Sequence, residues 1–239
     1  MPFHALISSP LGPILLASDE ASLQGLYFTD QRDLPRVPGV EAAVAVISDP
    51  SAGSRAGREI RTFKAVRASS AGESGDLFTN GPASARTGAP GQSGAGMAAP
   101  PGREVRTEAA PLQLLQANTP AQAVAVLEQT RHELHEYWQG RRGVFEMPLA
   151  PQGTAFQRRV WQALLAIPCG ETLSYGELAS RAGLGAGHGR AVGTAVGSNP
   201  ISIIIPCHRI LARNGTLNGY GGGLARKVRL LEIEGFVIR

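Results

Sequence analysis

Residues 36–117 divide this chain. Ala, Gly, Ser, Pro and Arg dominate the span, and large apolar side chains are scarce. Stretches such as Ala83–Pro101 cannot bury enough surface to offset the entropy of ordering them. The span therefore reads as a long disordered insertion, with at most a short strand near Glu41–Ile47 (EAAVAVI). What can fold lies on either side, within residues 1–150 and 151–239. Those flanks hold most of the large apolar residues in a chain that is 43% hydrophobic overall. The implied class is α/β (α+β), with a small N-terminal domain and a mostly helical C-terminal one.

Residues 3–28 read as two strands with turns between them. Phe3, Ala5 and Ile7 alternate with His4 and Leu6, Ser9–Pro13 forms a turn, and Ile14–Ala17 and Leu23–Phe28 resume the apolar runs. Thr119-Pro120-Ala121-Gln122 has the residue types of a capped helix start, and Gly140 those of its stop. Phe145–Leu149 suggests one more short strand. Thr154-Ala155-Phe156-Gln157 is a second capping box, followed by the apolar stripe Phe156, Val160, Trp161, Leu164, Leu165. Further helices are expected from Ser174 to about Gly183, from Gly189 to Val196 and from Gly223 to Glu234. The first two of these, joined by a Gly-rich stretch, are spaced like a helix-turn-helix pair.

Charge is unevenly placed. From residue 151 onward ten Arg or Lys face four Asp or Glu, so this part alone carries more positive charge than the whole chain's +4. A basic C-terminal half suits a phosphate-bearing partner. The two cysteines, Cys169 and Cys207, are too few for a disulfide scaffold and are expected as thiols in a reducing compartment, with Cys169 structural. Residues 1–12 lack the features of a signal peptide, and the most apolar run, Ile201–Ile205, is too short to span a bilayer. The expectation is a soluble, cytoplasmic monomer.

The chemistry concentrates in Ile201–Arg209 (ISIIIPCHR). An apolar run delivers Cys, His and Arg together, after a proline that fixes the turn. A lone Cys in such a place is most often a core thiol. Three polar groups at the end of a buried run need partners, however, and a thiol in an apolar pocket needs a base to become a nucleophile. Adjacent side chains diverge, so His208 would reach the Cys207 sulfur through a water. Glu234 is one of several acidic residues able to orient that histidine.

These residues carry a resemblance. Pro206-Cys207-His208-Arg209-Ile210 resembles the acceptor motif of the O6-alkylguanine-DNA alkyltransferases, the methylated-DNA–protein-cysteine methyltransferases. Gly153–Gln157 with Val160-Trp161, Ile167-Pro168 to Ser174-Tyr175, Arg190-Ala191-Val192-Gly193, Ser198-Asn199-Pro200, Gly219-Tyr220 and Leu230–Gly235 extend it over roughly the last 90 residues. Ser9–Gly12 resembles the family's N-terminal domain. The long insertion departs from the family pattern.

The resemblance implies a ribonuclease-H-like N-terminal domain and a winged-helix-like C-terminal one. It implies irreversible transfer of an alkyl group from O6-alkylguanine, and O4-alkylthymine, in double-stranded DNA to Cys207, after the base is flipped out. His208 would be the base through a water, Glu234 its orienter, Asn199 the brace of the turn, and Tyr175 the donor to guanine N3. Arg190 would fill the vacated stack, with Ala191, Gly193 and Thr194 against the minor groove. Tyr220, Gly221 and Ile210 would shape the pocket. No cofactor is implied. Some relatives hold an N-terminal zinc with Cys ligands, but no Cys precedes Cys169, so no metal is expected. Two other readings are weaker. A non-catalytic lesion sensor of the same fold would lack the acceptor cysteine, and a helix-turn-helix transcription factor would need a base-reading residue set that is not evident.

Overall fold

The computed structural model describes residues 1–47, 65–67, 109 and 111–238. Three strands open the chain where two were expected: β1 (Phe3–Ile7), β2 (Ile14–Ser18) and β3 (Leu23–Phe28). The Asp19 carboxylate accepts from the N–H groups of Ala21 (2.8 Å) and Ser22 (2.7 Å), closing a tight turn between the last two.

The expected insertion is ordered at several places. Helix α1 (Val40–Ile47) forms where a strand was expected. Val40, Ala43 and Val44 recur at helical spacing and cover Leu6 and Leu15 on one face of the sheet. Two short strands follow, β4 (Ala65–Arg67) and β5 (Gln113–Leu114). Strand β5 completes an antiparallel sheet of order β3-β2-β1-β5. The rest of the expected disordered stretch, residues 48–64, 68–108 and 110, lies outside the described residues.

Helix α2 (Ala121–Trp138) covers the opposite face, toward which Ala5, Ile7, Ile14 and Leu16 point. It starts later than the capping pattern suggests. The Thr119 hydroxyl donates to the Gln116 carbonyl (2.7 Å), so no side chain caps the helix. Gly140, at φ +68°, ends it as expected. Phe145–Leu149 forms no strand; only Leu149 bridges to Leu23.

The C-terminal half runs α3 (Ala155–Leu165), β6 (Leu173–Ser174), α4 (Tyr175–Arg181), a 3₁₀ turn (Ala186–His188), α5 (Gly189–Gly197), β7 (Ile210–Leu211), α6 (Leu224–Ile233) and β8 (Phe236–Ile238). Reciprocal capping boxes open α3 (Thr154, Gln157) and α4 (Ser174, Glu177). In the α3 stripe Val160, Trp161 and Leu164 are buried, but Leu165 is exposed. The indole N–H of Trp161 donates to the Ala195 carbonyl (2.8 Å), fixing α5 against α3, while α4 packs beside α5. The strand β8 pairs with β4, and β6 with β7.

The two halves share one core, which runs from Ile7, Leu26 and Phe28 through Trp161 and Leu164 to Ile201, Ile205 and Ile210. Among the described residues no helix is long and apolar enough to cross a membrane.

Candidate active site

Ile201–Ile205 does not form a strand. Its single bridge, Ile201 to Leu26, docks it on β3, and it then folds into turns. The Ile204 N–H donates to Ser202 (2.9 Å) and the Cys207 N–H to Ile205 (2.7 Å). Ile203 sits at φ +73°, the only described non-glycine residue with positive φ. A β-branched side chain there costs on the order of 1–3 kcal/mol. Full burial of Ile201, Ile203 and Ile205 holds it in place. Asn199 braces the loop from inside. Its Nδ2 donates to the Ile205 carbonyl (2.8 Å) and to Cys207 Sγ (3.1 Å), and its Oδ1 accepts from the Ile201 N–H (3.0 Å).

Cys207, His208 and Arg209 form one turn of 3₁₀ helix after Pro206. At three residues per turn, successive side chains leave about 120° apart. Cys207 thus faces Asn199 while its two neighbours reach Glu234. His208 Nε2 lies 2.7 Å from Glu234 Oε1, and Arg209 grips the carboxylate twice, at 2.9 Å and 2.8 Å. The Tyr137 hydroxyl (3.0 Å) and the Gly170 N–H (3.4 Å) also donate to it. Gly170 makes this approach at φ +81°, a conformation that favours glycine.

The electrostatics follow from this shell. Burial pushes the Glu234 carboxyl up, but His208 and Arg209 overcome it and hold the group at about 2. Glu234 caps α6 at the negative end of the helix dipole, so Arg209 offsets that as well. Burial lowers His208 below its ordinary 6.5 despite the carboxylate beside it. A neutral His208 must donate Nε2–H to Glu234, since a carboxylate only accepts. That leaves the lone pair on Nδ1, which is buried and bonded to no protein group.

Burial raises the Cys207 thiol, while the Asn199 N–H, the charge of Lys227 and nearby backbone N–H groups pull it back down. Lys227 is fully buried and donates to the carbonyls of Ile210 (2.5 Å) and Asn218 (2.7 Å); burial lowers it to about 8. Cys169 is half-buried, outside any disulfide, and burial lifts it to about 11. That range suits a structural thiol rather than a nucleophile.

Of the residues expected at the site, Cys207, His208, Glu234 and Asn199 come together. Tyr175 opens α4 with its ring against Gly193 of α5, and burial with the nearby Cys207 raises its phenol. Tyr220 has a buried hydroxyl, and Gly221 lines a cleft of about 420 Å³ that reaches Cys207. Ile210 is fully buried in β7, paired with Leu173, and does not line that cleft; its place is the core. Arg190, Ala191, Gly193 and Thr194 lie on α5, with Arg190 exposed and Thr194 at the cleft. Arg209, Tyr137 and Lys227 were not assigned from sequence. Only Arg209 had a signal, a charge beside His208 at the end of a buried run.

A family profile described as "6-O-methylguanine DNA methyltransferase, DNA binding domain" matches residues 155–236. Over the full fold, the chain is similar to the crystal structure titled "Mycobacterium tuberculosis OGT in complex with DNA". The TM-score is 0.56 at 30% identity, covering 96% of this chain and 91% of that one. The chain belongs to the O6-methylguanine-DNA methyltransferase family.

Curated relatives named methylated-DNA–protein-cysteine methyltransferase include that of Salmonella typhimurium, 52% identical over 107 residues, and that of Mycobacterium leprae, 55% identical over 102. The matched regions span 44% and 43% of this chain, and 62% and 61% of the relatives' own lengths. The family fold is mixed α/β, as the sequence pattern indicated.

Proposed function

We propose that the protein repairs O6-alkylguanine, and O4-alkylthymine, in double-stranded DNA by taking the alkyl group onto Cys207. The observation that carries this reading is the pairing of a cleft-facing thiol with a buried His208–Glu234–Arg209 cluster behind it. The thiol proton passes through a bridging water to His208 Nδ1. Glu234, ionised and accepting from Nε2–H, fixes the tautomer and stabilises the imidazolium.

The Cys207 sulfur then attacks the alkyl carbon. The S–C bond forms as the C–O6 bond breaks, and the electron pair leaves on the purine. Tyr175 donates to N3 and the Gly221 N–H faces O6, offsetting the charge that builds on the departing base. A thioether offers no easy leaving group, so each molecule reacts once.

The target atom lies inside the base stack, so the nucleotide must be rotated out. Exposed Arg190 at the start of α5 fills the gap, and the small residues Ala191, Gly193 and Thr194 allow close approach to the minor groove. The N-terminal sheet with α2 is of ribonuclease-H-like kind, and α3 to α6 form a winged-helix-like unit around the α4–α5 pair. The protein works as a monomer in the cytoplasm and needs neither metal nor cofactor. An intact Cys207 with its base and orienter disfavours a non-catalytic lesion sensor.

The test is mass spectrometry after incubation with a duplex carrying O6-methylguanine. One methyl mass on the peptide containing Cys207, at one equivalent per protein, is expected. Absence of stoichiometric transfer overturns the reading.

A further inference from the structure

We infer that the N-terminal half builds the wall of the pocket that receives the substituent on O6, and that Asp33 there selects against anionic substituents. This rests on the alkyl-transfer reading above. The cleft at Cys207 is lined by Asn199, Gly221 and Cys207 itself from the C-terminal half, and by Tyr27, Gln31 and Asp33, at the end of β3 and in the turn after it, from the N-terminal half. A methyl group is about the size of a water, roughly 30 Å³. The cleft of about 420 Å³ must admit the flipped base together with its substituent, so the lining chemistry matters as much as the volume.

The N-terminal wall is held in place. Gln31 Oε1 accepts from the Phe28 N–H (2.9 Å) and the Gln31 N–H donates to the Phe28 carbonyl (3.1 Å). The side chain is thereby anchored, and its amide N–H groups remain as the donor on that wall. Arg226 of α6 ties the two sides together. Its guanidinium lies 4.2 Å over the Phe28 ring. It donates to Asp30 (2.9 Å) beside Gln31, to the Gly222 carbonyl (2.9 Å) beside Gly221, and to the Leu11 carbonyl (2.7 Å). One cation thus sets the spacing between the walls.

The lining chemistry then decides what fits. Among the described residues that line the cleft there is no Lys, Arg or His, and the one formal charge besides the reacting sulfur is the Asp33 carboxylate. A neutral polar substituent such as 2-hydroxyethyl can accept from Gln31, and an aromatic one can lie against Tyr27. A carboxymethyl group finds no cation among the lining residues, which carry the Asp33 carboxylate. The carboxylate is exposed, so its effect is that of a unit charge near water, about fivefold at contact distance.

The experiment measures single-turnover transfer to Cys207 from duplexes carrying O6-methylguanine or O6-carboxymethylguanine, in the wild type and in Asp33→Asn. The wild type is expected to transfer carboxymethyl more slowly than methyl. Asp33→Asn should raise the carboxymethyl-to-methyl rate ratio about fivefold at low salt, and less at high salt where the charge is screened. Equal rates in the wild type, or a ratio unmoved by the substitution, overturn the inference while leaving alkyl transfer intact. Failure of the wild type to transfer either group overturns the alkyl-transfer reading itself.

Discussion

Glu234→Gln isolates the energetics of the buried cluster. The carboxyl is held at about 2 against an ordinary 4.5. Because the folded value is depressed, the stabilisation is complete above 4.5 and is lost as pH falls toward 2. A gap of that size corresponds to about 3 kcal/mol at pH 7, shrinking to about 1 kcal/mol near pH 3. The side chain is fully buried, so solvent screening does not reduce this. Glutamine keeps the shape and removes the charge, leaving the buried Arg209 without its counter-ion. Urea unfolding of wild type and variant should therefore differ by about 1.5 M in midpoint at pH 7, for a slope of about 2 kcal/mol/M. The two curves should converge on acidification. Other carboxylates titrate in both proteins, so only the difference is diagnostic. A difference that stays constant from pH 7 to pH 3 would refute the claim that an ionised Glu234 holds the cluster together.

Asn199→Ala removes an N–H that favours the Cys207 thiolate. The thiol pKa should rise, because a hydrogen bond to the charged form is lost, and the ultraviolet absorbance of the thiolate reads it; an unmoved titration would contradict that role. Gly170→Ala should destabilise the fold by about 1–2 kcal/mol, because an L-residue must adopt φ +81° while its Cβ makes only an ordinary contact at 3.6 Å with the Glu234 carbonyl. Calorimetry showing an unchanged melting temperature would mean that the turn can relax.

Local signals served well where local physics decides. The capping boxes at Thr154 and Ser174, the stop at Gly140 and the turn at Ser9–Gly12 each satisfy their hydrogen bonds within a few residues. Such features are written in short stretches of sequence. They were misread at Thr119, whose hydroxyl turns back three residues to Gln116 instead of capping α2, and at Val40–Ile47, where the distant sheet face under α1 selects a helix.

Within the site, the residues alone pointed to Cys207 and His208 as neighbours at the end of a buried run, while Glu234 stood as one acidic residue among several and Asn199 and Tyr175 came only from the family resemblance. The sequence could not determine geometry. The 3₁₀ turn that separates the directions of Cys207 and His208, and the convergence of Tyr137, Gly170 and Arg209 on Glu234, join residues far apart in the chain. Likewise, only packing of the two halves brings Gln31 and Asp33 into the same cleft as Cys207. The physical reason is the same in each case. Burial makes every polar group seek a partner, and which partner is within reach is a property of the folded chain.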